Sequence, residues 1–205
     1  MNAQAKIAEN EIPTVPGTPF GGGFYAGRIM KNGIEHAVIV APKAEGDHDD
    51  EQWGEYGKEI EGASSFFDGA ANTRAMAAAG YPLAVWALAL VIAGFNDWHL
   101  PSRDELEIYY RNLKPGTQSN WRYRGDNPSS VPVGYPYSPE LPAQTACDEF
   151  KADGAEAFEQ AYYWSSTQYS AKIAWAQDFS YGYVYYDDKS YEFRARAVRT
   201  IPVGH

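Results

Sequence analysis

YYWSSTQYSAKIAWAQDFSYGYVYYDDKSYEFRARAVR, residues Tyr162–Arg199, alternates large and small side chains at a period of two, the mark of short strands rather than helices. The alternation predicts four strands, Tyr162–Ser166, Ile173–Ser180, Tyr183–Asp187 and Tyr191–Ile201. Eight of the sixteen tyrosines and two of the six tryptophans fall in the same stretch, among Ser, Asp and Gly. Tyrosine offers wide amphipathic contact for the loss of two side-chain torsions, while Ser, Asp and Gly adapt their hydrogen bonding, so this composition suits a recognition surface.

In Ile173–Ser180, Trp175, Gln177 and Phe179 share one face and Ala176, Asp178 and Ser180 the other. Trp and Phe are expected inward, which turns the second set to solvent. After Gly182, expected to bend the chain, Val184 is the natural inward residue, so Tyr183 and Tyr185 face out and Tyr181 reaches the same surface. Exposed sheet faces do carry tyrosine, but so many large aromatics on one side mark an interface.

Working outward, Asn32-Gly33 between Phe24–Met30 and Ile34–Val40 predicts a hairpin. Glu45–Glu61 reads as an acidic, solvated loop. Ala70–Ala79, stopped by Gly80, and Leu83–Ile92, opened by Pro82, read as helices, the second apolar nearly all round and therefore deep. Ser102-Arg-Asp-Glu105 is a capping box opening a third helix through Leu106, Tyr109, Tyr110 and Leu113 to the stop at Pro115-Gly116. Residues 115–143 hold six prolines and form a long loop that is functional or pinned to the core, and a weaker helix is expected over Thr145–Gln160. Residues 1–20 read as an extended, proline-rich arm, and 21–205 as one ligand-binding domain.

Two segments carry a family resemblance. Gly94-Phe-Asn-Asp-Trp-His-Leu-Pro-Ser-Arg-Asp-Glu-Leu106 resembles the signature of the Lcl C-terminal domain family, also called the domain of unknown function 1566. Tyr163-Trp-Ser-Ser-Thr167, followed by Trp175, Phe179, Gly182, Lys189 and Arg194-Ala-Arg-Ala-Val-Arg199, is similar to that family's closing segment. The resemblance implies an α+β, C-type lectin-like fold with short antiparallel strands, two to four helices and long loops. Several phage and prophage members are variable proteins of diversity-generating retroelements, among them determinants of host choice at a tail-fibre tip. On that likeness Trp164, Ser165, Ser166, Trp175, Phe179 and the Arg194–Arg199 strand are scaffold. The same likeness implies that the ligand-binding, variable positions are Tyr169, Ser170, Lys172, Ala176, Asp178, Ser180, Tyr181, Tyr183, Tyr185, Tyr186 and Phe193.

Charge and motif content narrow the function. A net charge of −10 argues against nucleic acid and against a polybasic membrane-surface role. Cys147 is the single cysteine, which allows neither an internal disulfide nor a thiolate metal cluster. Met1–Gly17 lacks the apolar core of a secretory signal, and the longest apolar stretch, Tyr81–Phe95, is too short to span a bilayer. The chain therefore reads as made in the cytoplasm, with an exported role, in a virion for instance, reached through assembly. Asp47-His-Asp-Asp-Glu51 lacks the order of a calcium loop, and His36, His48, His99 and His205 lack paired spacing, so neither metal nor cofactor is expected. Formylglycine-generating enzymes share a related fold but use cysteines absent here. No nucleophile elbow, phosphate loop or interpretable carboxylate pair occurs, and Arg124-Gly-Asp126 is read as chance. The expectation is a non-enzymatic protein that binds a protein or glycan receptor on a cell surface, displayed as a homo-oligomer or on a virion. The other reading is a bacterial protein of the same fold whose fixed surface serves adhesion or complex assembly.

Overall fold

A computed structural model describes residues 6–121 and 127–204; Arg124-Gly-Asp126 and the first five residues lie outside them. The fold is α+β, and the described residues form four α-helices and ten strands in two five-stranded sheets. The first sheet is ordered β1 (Ile7–Ala8), β10 (Val198–Gly204), β4 (Ile34–Val40), β3 (Gly23–Lys31), β2 (Pro19–Phe20). The second is ordered β5 (Asp47–Gln52), β9 (Glu192–Arg196), β6 (Tyr162–Gln168), β7 (Ile173–Asp178), β8 (Val184–Asp188). Pairings are antiparallel except β1 with β10 and the brief contact of β6 with β9.

The hairpin of β3 and β4 turns at Asn32 and Gly33, both at positive φ (50° and 79°), as the Asn-Gly pair predicts. Helices α1 (Lys43–Gly46), α2 (Gly69–Ala78) and α3 (Pro82–Ala89) precede α4 (Arg103–Leu113). The capping box at Ser102 is formed: the Glu105 N–H donates to Ser102 Oγ at 3.4 Å, and the Ser102 N–H to Glu105 Oε2 at 2.7 Å. The five apolar residues of α4, Leu106, Ile108, Tyr109, Tyr110 and Leu113, are buried between the sheets in one cluster with Ile29, Val38 and Val40 on one side and Tyr163 and Phe179 on the other.

Four expectations are corrected. The acidic segment 45–61 contains strand β5, because Asp47 pairs with Arg194 at 2.8 Å and the following Trp53 is buried with its indole N–H on the Ser165 carbonyl at 2.8 Å. The segment Thr145–Gln160 holds only a 3-10 turn at Asp148–Phe150. Its weak helical propensity yields to tertiary anchors, since Phe150 and Phe158 both enter the core and the Glu156 carbonyl and carboxylate hold Arg196. The strand expected over Tyr191–Ile201 divides at Ala197 into β9 and β10, one in each sheet; Ala197 bonds instead to Gly46 and Ala41. Helix α3 buries only Leu83, Ala84 and Ala87 and leaves Val85 and Leu88 exposed, because it is eight residues long and lies against α2 at the surface.

Residues 6–20 hold a 3-10 turn at Glu9–Glu11 and join the first sheet through β1 and β2, with Ile12 buried beside Tyr25, Ala37 and Val203. The proline-rich loop is pinned. Asn120 Nδ2 donates to the carbonyls of Ser138 at 3.1 Å and Pro142 at 2.9 Å, while its Oδ1 accepts from Tyr110 at 2.7 Å and Lys114 at 2.8 Å. No helix of the described residues is long and apolar enough to cross a membrane.

Candidate binding surface

Strand β6 supplies the frame beneath the surface. Ser165 Oγ donates to the Trp175 carbonyl at 2.8 Å, Ser166 Oγ to the Pro101 carbonyl at 3.1 Å and Thr167 Oγ1 to the Ser65 carbonyl at 2.8 Å. Gln168 closes the run by exchanging two hydrogen bonds with the backbone of Ile60. Buried hydroxyls and amides of this kind are costly unless bonded, and here each has a partner. Lys189, also buried, donates to Gln168 Oε1 at 3.0 Å and to the Lys58 carbonyl at 2.9 Å; burial pushes its pKa down to about 8.

The three arginines of Arg194-Ala-Arg-Ala-Val-Arg199 staple this frame to its surroundings. Arg194 pairs with Asp47 at 2.8 Å. Arg196, fully buried, donates to the Ala41 carbonyl at 2.9 Å and to the Glu156 carbonyl at 2.8 Å and carboxylate at 2.5 Å. Arg199 meets Asp97 of the Gly94–Leu106 segment and the Gly21 carbonyl at 3.0 Å. In that segment Glu105 is wholly buried against Lys31 and His99. Burial alone would raise its pKa, but the Lys31 charge and the His99 contact overcome this and hold it far below the usual carboxylate range.

Over this frame runs a ridge of rings. Trp121 meets Tyr183 edge to face at 5.8 Å, and Tyr183 stacks on Tyr185 at 5.2 Å. Tyr185 stacks on Tyr186 at 5.1 Å and Tyr186 on Tyr169 at 4.6 Å. Tyr169 then meets Trp175 at 5.6 Å, and Trp175 meets Phe66 at 6.1 Å, with the Arg103 guanidinium 3.9 Å over Phe66. Trp121, Tyr169, Tyr181, Tyr185 and Tyr186 are all exposed. The ridge follows β8, the edge strand of its sheet, whose side chains emerge on both faces and are not covered by a further strand.

Tyr169, Tyr185 and Tyr186 therefore stand together, and Tyr181 and Tyr183 join them at the Trp121 end. Ser170 shapes the turn between β6 and β7, its Oγ accepting from the Lys172 N–H at 3.2 Å, while the exposed Lys172 ammonium lies 5.6 Å over Tyr56. Phe193 is half-buried and serves from beneath, stacked on Tyr162 at 5.0 Å and packed on Trp164 at 4.4 Å. Asp178 is 7% exposed and lines a cavity with Trp121, Tyr162, Tyr181 and Tyr183; its Oδ1 accepts from the N–H of half-buried Ser180 at 2.8 Å.

The inward–outward assignment at Trp175 and Ala176 is reversed. Ala176 is 1% exposed and packs in the cluster of Trp164 and Ala174, whereas Trp175 is half-exposed within the ridge. Both faces of β7 are covered, Ala174 and Ala176 by the cluster of Trp164, and Trp175 by Arg103 of α4 with Tyr169 and Tyr186, so size does not tell which side meets solvent. Phe179 is buried as expected.

Trp121, Tyr162 and Phe66 escaped the sequence reading. Trp121 lies in the proline-rich loop, far in sequence from the strands it joins, and is placed by its N–H on the Tyr181 carbonyl at 2.7 Å. A lone Trp in a long pinned loop is the one signal that pointed to it.

The architecture defines an α+β protein whose polar frame is shared by its Gly94–Leu106 and Tyr162–Arg199 segments and whose edge strand carries an aromatic surface. The Lcl C-terminal domain model matches residues 52–199, which is more than half of the sequence and includes both segments. The chain belongs to the Lcl C-terminal domain family. No curated protein matches it.

Proposed function

We propose that this chain is a non-enzymatic receptor- or ligand-binding protein of C-type lectin-like fold, presenting the ridge from Trp121 to Trp175 to a partner on a cell surface. The observation that carries this reading is the continuous ridge of stacked, half-exposed rings above a strand whose side chains from Ser165 to Gln168 are already hydrogen-bonded inward. Such a surface binds through rigid anchors, and side chains that hold nothing else in place can vary without loss of the fold. On that ground we assign the protein to the variable proteins of phages or prophages, acting in host recognition at a tail tip, with modest affinity per copy raised by multivalent display. Ala176, being buried, drops out of the variable set, and Tyr162 and Trp121 enter the contact surface.

Changing Tyr181, Tyr183 and Tyr185 together to Ala tests the surface. Binding of the labelled protein to host cells is expected to vanish while cooperative unfolding persists; unchanged binding would place the site elsewhere. A near-copy of the coding segment for residues 162–199 beside a reverse transcriptase, differing only at adenines, tests the diversification. A neighbourhood with neither template nor phage genes would leave the fixed-surface adhesion reading in its place.

A further inference from the structure

We propose that the cavity walled by Trp121, Tyr162, Tyr181 and Tyr183 over Asp178 is a cation cage that receives the protonated side chain of a lysine or arginine from a protein partner. The proposal rests on the ridge being the binding surface and names the chemistry it selects at this end.

The cavity has a volume of about 330 Å³, room for a charged head group and its last methylenes. Four of its five described lining residues are aromatic and the fifth is an acid. Aromatic faces carry negative quadrupole potential, and a cation held among several of them is attracted to each. The walls are set before a ligand arrives. Tyr162 is backed by Phe193 at 5.0 Å and Tyr183 by Tyr185 at 5.2 Å, both nearly parallel stacks. Trp121 stands at 76° to Tyr183, making a corner, and its backbone N–H donates to the Tyr181 carbonyl. Such preorganisation lowers the ordering cost of binding.

Asp178 supplies the charge. It is almost buried, and its backbone is held at both groups, its N–H on the Tyr183 carbonyl at 2.9 Å and its carbonyl on the Gly182 N–H at 2.8 Å. Its one side-chain bond is from the Ser180 N–H, and among the described residues no basic group pairs with it. A buried carboxylate without a cation is costly, and a partner's ammonium or guanidinium would neutralise it within reach of four rings. The local field agrees: burial first, then the charges of Asp178 and Asp187, push the pKa of the Tyr162 hydroxyl up.

The test is a titration of the whole chain with Nα-acetyl-lysine amide and Nα-acetyl-arginine amide, followed by NMR at the Trp121 indole and the Tyr183 amide. Neutral norleucine and citrulline amides serve as isosteres. The cationic probes are expected to saturate, with the isosteres about tenfold weaker, and Asp178→Asn is expected to weaken the cationic probes about tenfold, the scale of one desolvated charge contact. Asn preserves an oxygen for Ser180, so an unaltered thermal melt is expected of that variant; Tyr183→Ala is the second variant should it unfold, and is likewise expected to weaken the cationic probes. Because Arg122 and Arg124 follow Trp121 in the sequence, the titration is repeated with both changed to Ala, and saturable binding in at least one background is expected. Isosteres binding as tightly as the cations would overturn the proposal, as would no binding in either background. Tetramethylammonium binding more tightly than lysine and indifferently to Asp178→Asn would overturn it too, in favour of a methylated ammonium. If the isosteres bind equally while the triple tyrosine variant still loses its cells, the surface stands and only the charge preference falls.

Discussion

From Tyr163 to Gln168, six consecutive side chains are buried and four of them are polar, each bonded to backbone of another element or loop. Two strands away, the hydroxyls of Tyr181, Tyr183, Tyr185 and Tyr186 bond to no described residue, and the rings rest chiefly on one another. The first region is specified atom by atom; the second requires only that something flat stand on the edge of β8. A frame that spends its polar groups inward leaves the edge free to change, which is the physical condition for a surface that serves recognition.

The contrast breaks first at Arg196. Arg196→Ala leaves the Glu156 carboxylate and the Ala41 carbonyl without their buried donor, and a loss of about 3–5 kcal/mol is expected in urea unfolding, the scale for one partner removed from a buried ion pair. Next comes Gly182→Ala, where the two regions meet. Gly182 sits at φ 73°, and a Cβ there would run into the Tyr110 ring, so a cost of about 1–3 kcal/mol is expected, together with displacement of Tyr181 and Tyr183 visible in their NMR signals.

Titration probes the frame from two sides. Glu105 is held below its usual 4.5, so as pH falls the unfolded chain takes up the proton first; the stabilising contribution is complete above about 4.5 and is lost as pH falls below it. Lys189 runs the other way. With its folded pKa at about 8 and its ordinary value at 10.5, the unfolded chain holds more protons across that window, and its contribution to stability rises with pH there. Unfolding curves compared with Glu105→Gln and Lys189→Met are expected to show these two slopes as differences. The smallest effect belongs to the ridge, where Tyr181→Ala and Tyr185→Ala singly are each expected to change stability by about 0.5 kcal/mol or less.

Much of the frame was legible because its signals are local. Asn32-Gly33 needs positive φ, Ser102 and Glu105 cap a helix three residues apart, and the alternation after Tyr162 gives strands. What escaped depends on distant partners. Strand β5 exists because Asp47 meets Arg194 from the other end of the chain, and Ala197 divides a continuous pattern because its backbone turns to Gly46 and Ala41. At Trp175 and Ala176 alternation gave the two faces but not which side chain is exposed, since β7 is covered on both sides. Trp121 reached the surface through a loop without periodicity, placed by one backbone bond.

The separability of frame and surface is tested most directly by urea unfolding of the Tyr181→Ala, Tyr183→Ala, Tyr185→Ala triple variant beside the unaltered chain. A single cooperative transition, lowered by no more than about 1.5 kcal/mol, is the result expected of side chains that rest on the frame without holding it. Loss of the cooperative transition, or a drop as large as that of Arg196→Ala, would make these tyrosines part of the core.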